Sequence, residues 1–129
     1  MAEHGVTCCE ATPGLWSLIA EAAADELRGV RAVISGEDLP QTVATAVADA
    51  GAQVWNLYGP TEATVFATAG EQNAGPVDIG LPLPGVEIRV LDDYLVPVAD
   101  GALGDLYLVG SQIAFGYGGR ADLTAEAVV

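Results

Sequence analysis

The stretch Val30–Gly59, VRAVISGEDLPQTVATAVADAGAQVWNLYG, decides the reading of the fold. It opens on a short apolar run, Val30 to Ser35, which fits a buried strand. Asp38, with Gln41 three residues on, reads as a capping box for a helix. Val43, Ala44, Val47 and Ala50 recur at helical spacing and form its apolar face, and Gly51 ends it. Val54 to Leu57 is then a second short strand. Working outward toward the N-terminus, Val6 to Ala11 reads as another strand, followed by Thr12 as N-cap and Pro13 at the first helical position. Trp16, Ile19, Ala20, Ala23 and Leu27 lie on one face of that helix, and Gly29 stops it. Strand, helix, strand, helix, strand at this spacing predicts right-handed crossovers and a parallel sheet.

After Glu62 the pattern changes. Ala63 to Ala69 is small and β-branched and is expected to be a strand, with Glu71 to Pro76 a polar loop. Val86 to Leu91 alternates as a strand, Asp92-Asp93 make a turn, and Pro97 to Leu103 is a further turn region. Leu106 to Val109 is a strand, Ser111 to Tyr117 is irregular, and Ala121 to Ala127 is expected to be a short helix. The expected fold class is therefore α/β, a parallel strand-helix-strand half over residues 1–62 followed by a mostly β half over 63–129.

Composition excludes several function classes. With 51% apolar and 17% charged residues the chain is globular rather than disordered. A net charge of −14, with no lysine, argues against a nucleic-acid partner, because polyanion binding needs clustered cations. No apolar run is long enough for a membrane helix, and the N-terminus lacks the basic region and apolar stretch of a signal peptide, so no membrane partner and a cytoplasmic location are expected. Cys8 and Cys9 are adjacent, with Cα atoms about 3.8 Å apart, shorter than disulfide geometry allows. Both read as reduced, structural thiols.

The residues that carry chemistry are Asn56-Leu57-Tyr58-Gly59-Pro60-Thr61-Glu62, directly after a predicted parallel strand. Open α/β sheets bind ligands beyond the carboxyl ends of their strands. The loop offers an aromatic ring to stack on a base, a tight Gly-Pro turn, a hydroxyl for a phosphate oxygen and a carboxylate for Mg²⁺, which prefers oxygen ligands. The plain alternative is a strand-to-turn connection with an exposed Glu62.

Asn56 to Glu62 resembles the NxYGPTE core motif of nonribosomal peptide synthetase adenylation domains, which belong to the adenylate-forming enzyme superfamily. Ser35 to Leu39 resembles GGEAL, Ile79 to Pro82 resembles IGRP, Gly104 to Gly110 resembles GELYIGG, Ile113 to Tyr117 resembles LARGY and Gly119 to Val129 resembles RPELTAERFV, all in the family's order. The resemblance implies part of the large N-terminal core of such an enzyme. It implies binding of ATP, Mg²⁺ and an amino acid, formation of an aminoacyl-AMP, and transfer of the acyl group to a carrier-protein thiol. It assigns Tyr58 to the adenine, Thr61 to the phosphates and Glu62 to Mg²⁺. Gly36 and Glu37 border the adenine, and Asn56 and Gly59 complete the nucleotide motif. It lines the amino-acid pocket with Glu10, Val33, Ser35, Leu57, Val65 and Phe66. Apolar walls beside Ser35 and Glu10 predict a basic or hydrogen-bonding amino acid over an aliphatic one, because a buried carboxylate seeks a partner.

The resemblance also places the family's phosphate loop and the aspartate for the substrate α-amine upstream. It places the ribose-gripping Thr-Gly-Asp motif and the subdomain with the catalytic lysine downstream. The expectation is a fragment that needs the remainder of the adenylation domain, binds no nucleotide alone and has no adenylation activity of its own. Phe115 and Ala127 stand where the family usually has Arg, and Asp105 where it has Glu. The alternatives are a fragment of an acyl-CoA or aryl-acid ligase, or a non-catalytic protein-interaction module.

Overall fold

The computed structural model describes residues 2–73 and 75–128. The chain falls into two compact units, Met1–Tyr58 with Thr68–Leu81, and Gly59–Ala67 with Pro82–Val129.

In the first unit β1 (Cys8–Ala11), β2 (Arg31–Ile34) and β3 (Gln53–Tyr58) pair in parallel, with α1 (Pro13–Ala22) and α2 (Gln41–Asp49) as the intervening crossovers. The strand-helix-strand reading of Val30–Gly59 is borne out. A fourth strand, β4 (Thr68–Glu71), runs antiparallel to β3, and the two-residue β5 (Leu81–Pro82) follows it in the sheet order. Side chains alternate across a strand, and here Ala32, Ile34 and Val54 point into the core while Glu10, Val33 and Trp55 share the opposite face in register. The core is Trp16, Leu27, Val30, Ala32, Ile34, Leu39, Ala44, Val47 and Val54. Trp16 is fully enclosed, and its indole Nε1 donates to the Val33 carbonyl at 2.9 Å. A buried indole N–H usually finds such a partner.

Helix ends differ from the sequence reading. The Asp38–Gln41 capping box does not form; α2 begins at Gln41 with Pro40 as its extended N-cap and no side-chain cap. Proline disfavours helical backbone in the residue before it, so Asp38 and Leu39 are held out of the helix. The Gln41 side chain instead accepts the Val77 N–H at 2.9 Å. Thr12 occupies the N-cap of α1 with extended backbone and makes no side-chain cap, while Pro13 is at the first helical position as read. The first helix stops at Ala22, and Ala24–Glu26 forms a separate 3-10 turn before the buried Leu27. Gly51, at φ +90, ends α2 in the left-handed region that glycine enters without steric penalty.

In the second unit β6 (Val86–Leu91) and β7 (Asp105–Gly110) form an antiparallel pair, in register from Val86↔Gly110 to Leu91↔Asp105. Asp92 makes the turn after β6, its Oδ1 accepting the Tyr94 N–H at 2.9 Å and the Val96 N–H at 3.0 Å. A short helix, α3, covers Ala121–Ala127 as expected. The strand expected over Ala63 to Ala69 is replaced by a 3-10 turn at Thr61–Ala63 and a bend at Thr64 and Val65, and only Thr68–Glu71 is extended as β4. Local β preference yields there to side-chain and backbone contacts described below.

The α/β fold class is borne out, with a mostly parallel sheet and a separate antiparallel pair. Among the described residues no helix is long and apolar enough to cross a membrane. Both cysteines are free, Cys8 exposed and Cys9 packed against the core.

Candidate functional site

The helix-free face of the first unit's sheet carries Glu10, Val33 and Trp55 side by side, with Leu57 two residues along β3. Parallel register brings the carboxyl ends of β1 and β2 together, so that Ser35, just past β2, donates from Oγ to Glu10 Oε1 at 2.9 Å. Ser35 is buried and Glu10 is exposed. The carboxylate thus keeps acceptor capacity beyond its one serine partner. Gly36, at φ +85, and Glu37 are exposed on the loop that follows. Trp55 lies beneath the Arg31 guanidinium, 5.9 Å from the ring centroid, and its Nε1 is enclosed with no hydrogen-bond partner among the described residues. The sequence reading did not single out Trp55, which shares this face with Glu10, Val33 and Leu57. The two-residue period linking it to Leu57 was the signal available.

Asn56 points the other way. It is buried, and its Nδ2 donates to the Asp78 carbonyl at 2.7 Å. Thr68 Oγ1 donates to the Ile79 carbonyl, and Gln72 Nε2 to the Asp78 carbonyl at 3.2 Å. Together they fasten the Asp78–Gly80 segment to β3 and β4. Tyr58 closes β3 and is half-buried.

The second unit holds the remainder of the motif. Pro60 leads into the 3-10 turn Thr61–Ala63, where Thr61 is exposed and Ala63 fully buried. Thr64 and Val65 follow at φ 53 and φ 75. Two β-branched residues in the left-handed region each cost on the order of 1–3 kcal/mol and persist only where their surroundings fix them. Gln112 supplies part of that constraint, its Nε2 donating to the carbonyls of Ala63 at 2.7 Å and Phe66 at 2.9 Å. Gly59 supplies another part: a Cβ there would stand 2.6 Å from Phe66 Cα and 2.8 Å from Ala67 N, so only glycine allows the approach. The bend leaves Val65 65% exposed and Phe66 half-buried.

Glu62 is fixed from two sides. Its carbonyl accepts the Ala114 N–H at 2.7 Å, and its carboxylate accepts the Tyr117 hydroxyl. Tyr117 is itself held by its backbone N–H, donated to Thr124 Oγ1 at 2.9 Å. The Tyr117 hydrogen bond, with a backbone hydrogen bond second, holds the Glu62 carboxyl below the usual carboxylate range, and the same contact raises the Tyr117 phenol. Neither Tyr117 nor Gln112 was assigned a site role from sequence, although Tyr117 closes the stretch resembling LARGY.

The profile of the family described as AMP-binding enzyme matches residues 1–118. The chain belongs to this family. Among its relatives, the dimodular nonribosomal peptide synthase of Bacillus subtilis (strain 168) is 39% identical over 127 residues, covering 96% of this chain and 5% of the synthase. The N-terminal subdomain of Klebsiella oxytoca NpsA, solved in complex with 3-hydroxyanthranilyl-AMSN, superposes with a TM-score of 0.85 at 31% identity over 97% of this chain and 32% of that one. NpsA-ThdA, an artificially fused adenylation–PCP di-domain from the same organism, gives a TM-score of 0.83 at 29% identity over 96% of this chain and 26% of that one. The chain therefore spans about a third of the solved subdomain and a small share of the curated synthetase. The resemblance to nonribosomal peptide synthetase adenylation domains is borne out.

The contact between Glu62 and Tyr117 has a pH signature. Its contribution is present above the ordinary glutamate range and is lost as pH falls through the depressed folded value. Tyr117→Phe is expected to raise the Glu62 titration midpoint toward the ordinary range, measured by NMR of the side-chain carboxyl carbon. An unchanged titration midpoint would show that the phenol does not hold the carboxylate.

Proposed function

We propose that the chain is the substrate-specificity and nucleotide-binding segment of an amino-acid-activating adenylation domain. The observation that carries this reading is Glu62, in a loop with the family's Gly-Pro-Thr-Glu order, its carboxylate held in place by the Tyr117 hydroxyl. In the full domain the carboxylate of the amino acid attacks the α-phosphorus of ATP, an aminoacyl-AMP forms and pyrophosphate leaves. The acyl group then passes to a carrier-protein thiol; one solved relative is an adenylation–PCP di-domain.

Glu62 fits Mg²⁺ as a single carboxylate, the donor set of a cation that completes its shell with phosphate oxygens and water. Among the described residues no group of three or more His, Cys, Asp and Glu gathers to form an all-protein cage. Bound there, Mg²⁺ would offset charge on the phosphates. Thr61, exposed at the start of the turn, offers a hydroxyl to a phosphate oxygen, and Tyr58 offers its ring to adenine. Gly36 and Glu37 border the base, while Asn56 and Gly59 shape the loop that presents these groups.

For the amino acid, the first unit offers Val33 and Leu57 as apolar surface and the Glu10–Ser35 pair for polar contacts, and the second unit offers Val65 and Phe66. The expectation of a buried carboxylate is corrected: Glu10 is exposed, because its position on the edge strand leaves it open to solvent. What supports a basic or hydrogen-bonding side chain is the acceptor capacity Glu10 keeps beyond Ser35.

The chain alone offers little to offset phosphate charge. It has no lysine, and of its arginines Arg89 pairs with Glu87 and Arg120 with Asp122. Amino-acid-dependent ATP–pyrophosphate exchange tests the reading. No turnover is expected from the 129-residue chain, and turnover is expected from the full adenylation domain carrying it. Exchange by the chain alone, or none by the full domain with any amino acid, would overturn it.

A further inference from the structure

The bend at Thr64 and Val65 has no glycine to relieve it, yet it sets where Val65 and Phe66 point. Gln112, in the irregular segment after β7, spans it. Its side-chain amide donates to the carbonyls of Ala63 and Phe66, on either side of the bend, at 2.7 and 2.9 Å. Its own carbonyl accepts the Thr64 hydroxyl at 2.6 Å, and the Ile113 N–H closes back on the Gly110 carbonyl at 3.2 Å, making a turn under Gln112. One residue therefore makes three hydrogen bonds to the four-residue stretch 63–66. A carboxamide is suited to this task because both its N–H bonds are available to two carbonyls. A glutamate would set an acceptor against two acceptors, and an asparagine would fall one methylene short.

We propose that Gln112 is a specificity-positioning residue for the amino-acid pocket. It does not touch the substrate; it fixes the bend that presents Val65 and Phe66. The inference rests on the proposed reading that these two side chains line that pocket. Two of its three bonds fall on Thr64 and Phe66 and the third on Ala63, beside Glu62, so substrate choice is its larger effect and the nucleotide its smaller one.

The test uses the full adenylation domain carrying this segment, with Gln112→Glu, Gln112→Asn, Val65→Ala and Phe66→Ala compared by a pyrophosphate-exchange panel of amino acids and by amide hydrogen exchange. Gln112→Glu is expected to speed exchange of the amides around residues 64–67. It is also expected to raise KM for the preferred amino acid about ten- to a hundredfold, as a misplaced pocket wall does, and KM for ATP by a clearly smaller factor. Gln112→Asn is expected to fall between wild type and Gln112→Glu, and it serves alone where the glutamate variant does not fold. If Val65→Ala or Phe66→Ala changes the preferred amino acid while neither Gln112 variant alters KM or preference, the positioning role is overturned and the pocket reading stands. If none of the variants alters preference, the pocket reading falls and this inference falls with it.

Discussion

Glu62→Gln in the full adenylation domain is expected to lower kcat/KM for aminoacyl-AMP formation by about 10²–10³-fold, the scale on which removal of one charge-stabilising group acts. The substitution keeps the shape and the acceptor oxygen that Tyr117 bonds to, but removes the negative charge. Phosphoryl chemistry depends on positioning and charge stabilisation rather than on covalent work by the protein, so losing the carboxylate removes the group proposed to hold Mg²⁺. The Mg²⁺ concentration for half-maximal rate is expected to rise in the same variant. Stability should barely respond, because Glu62 is partly exposed and its backbone bond from Ala114 does not depend on the side-chain charge. A shift in Tm within about 2 °C is expected. Activity near that of wild type would make Glu62 a turn residue and nothing more.

Trp16→Ala is expected to destabilise the chain by about 3–5 kcal/mol, measured as a lowered urea midpoint with an unchanged slope. Trp16 is fully buried at the centre of the first unit's core, and its removal also leaves the Val33 carbonyl without its indole donor. Both effects act on β2, the strand that carries Val33 and leads into Ser35. Domains of this size are stable by only about 5–15 kcal/mol, so the loss is a large share of the total. Leu18→Ala, on the same helix but 62% exposed, provides the contrast and should cost within about 0.5 kcal/mol. Equal effects from the two would mean that the helix does not present the face its periodicity indicates.

Val30–Gly59 was legible because its periodicities, breakers and buried positions agree with one another. Ala44 and Val47 are buried at the helical spacing, and Ala32 and Ile34 at the strand spacing, with Val54 buried on the next strand. The start of α2 was misread for a reason that is also local. A capping box at Asp38 and Gln41 ignores Pro40, whose restriction on Leu39 keeps that stretch extended. The run Ala63 to Ala69 was misread for a different reason. Thr64 and Val65 carry β-forming side chains, and what turns them is remote in sequence: Gln112, 46 residues beyond Phe66. No window around Thr64 contains that information. For the candidate site, Glu10 and Ser35 came from family resemblance, and their hydrogen bond follows from the parallel register of β1 and β2. Tyr117 escaped because its partner Glu62 lies 55 residues away.

The central claim is that this segment carries amino-acid choice, and exchanging it between enzymes tests that most directly. Residues 8–128 would replace the corresponding segment of a related adenylation domain with a different known amino-acid preference. The pyrophosphate-exchange panel would then be read on the hybrid and on the host. The account predicts a hybrid whose preference moves away from the host's, toward a basic or hydrogen-bonding amino acid, and moves back when Glu10 and Ser35 are given the host's residues. A hybrid that turns over at the host's rate and keeps the host's preference would contradict it.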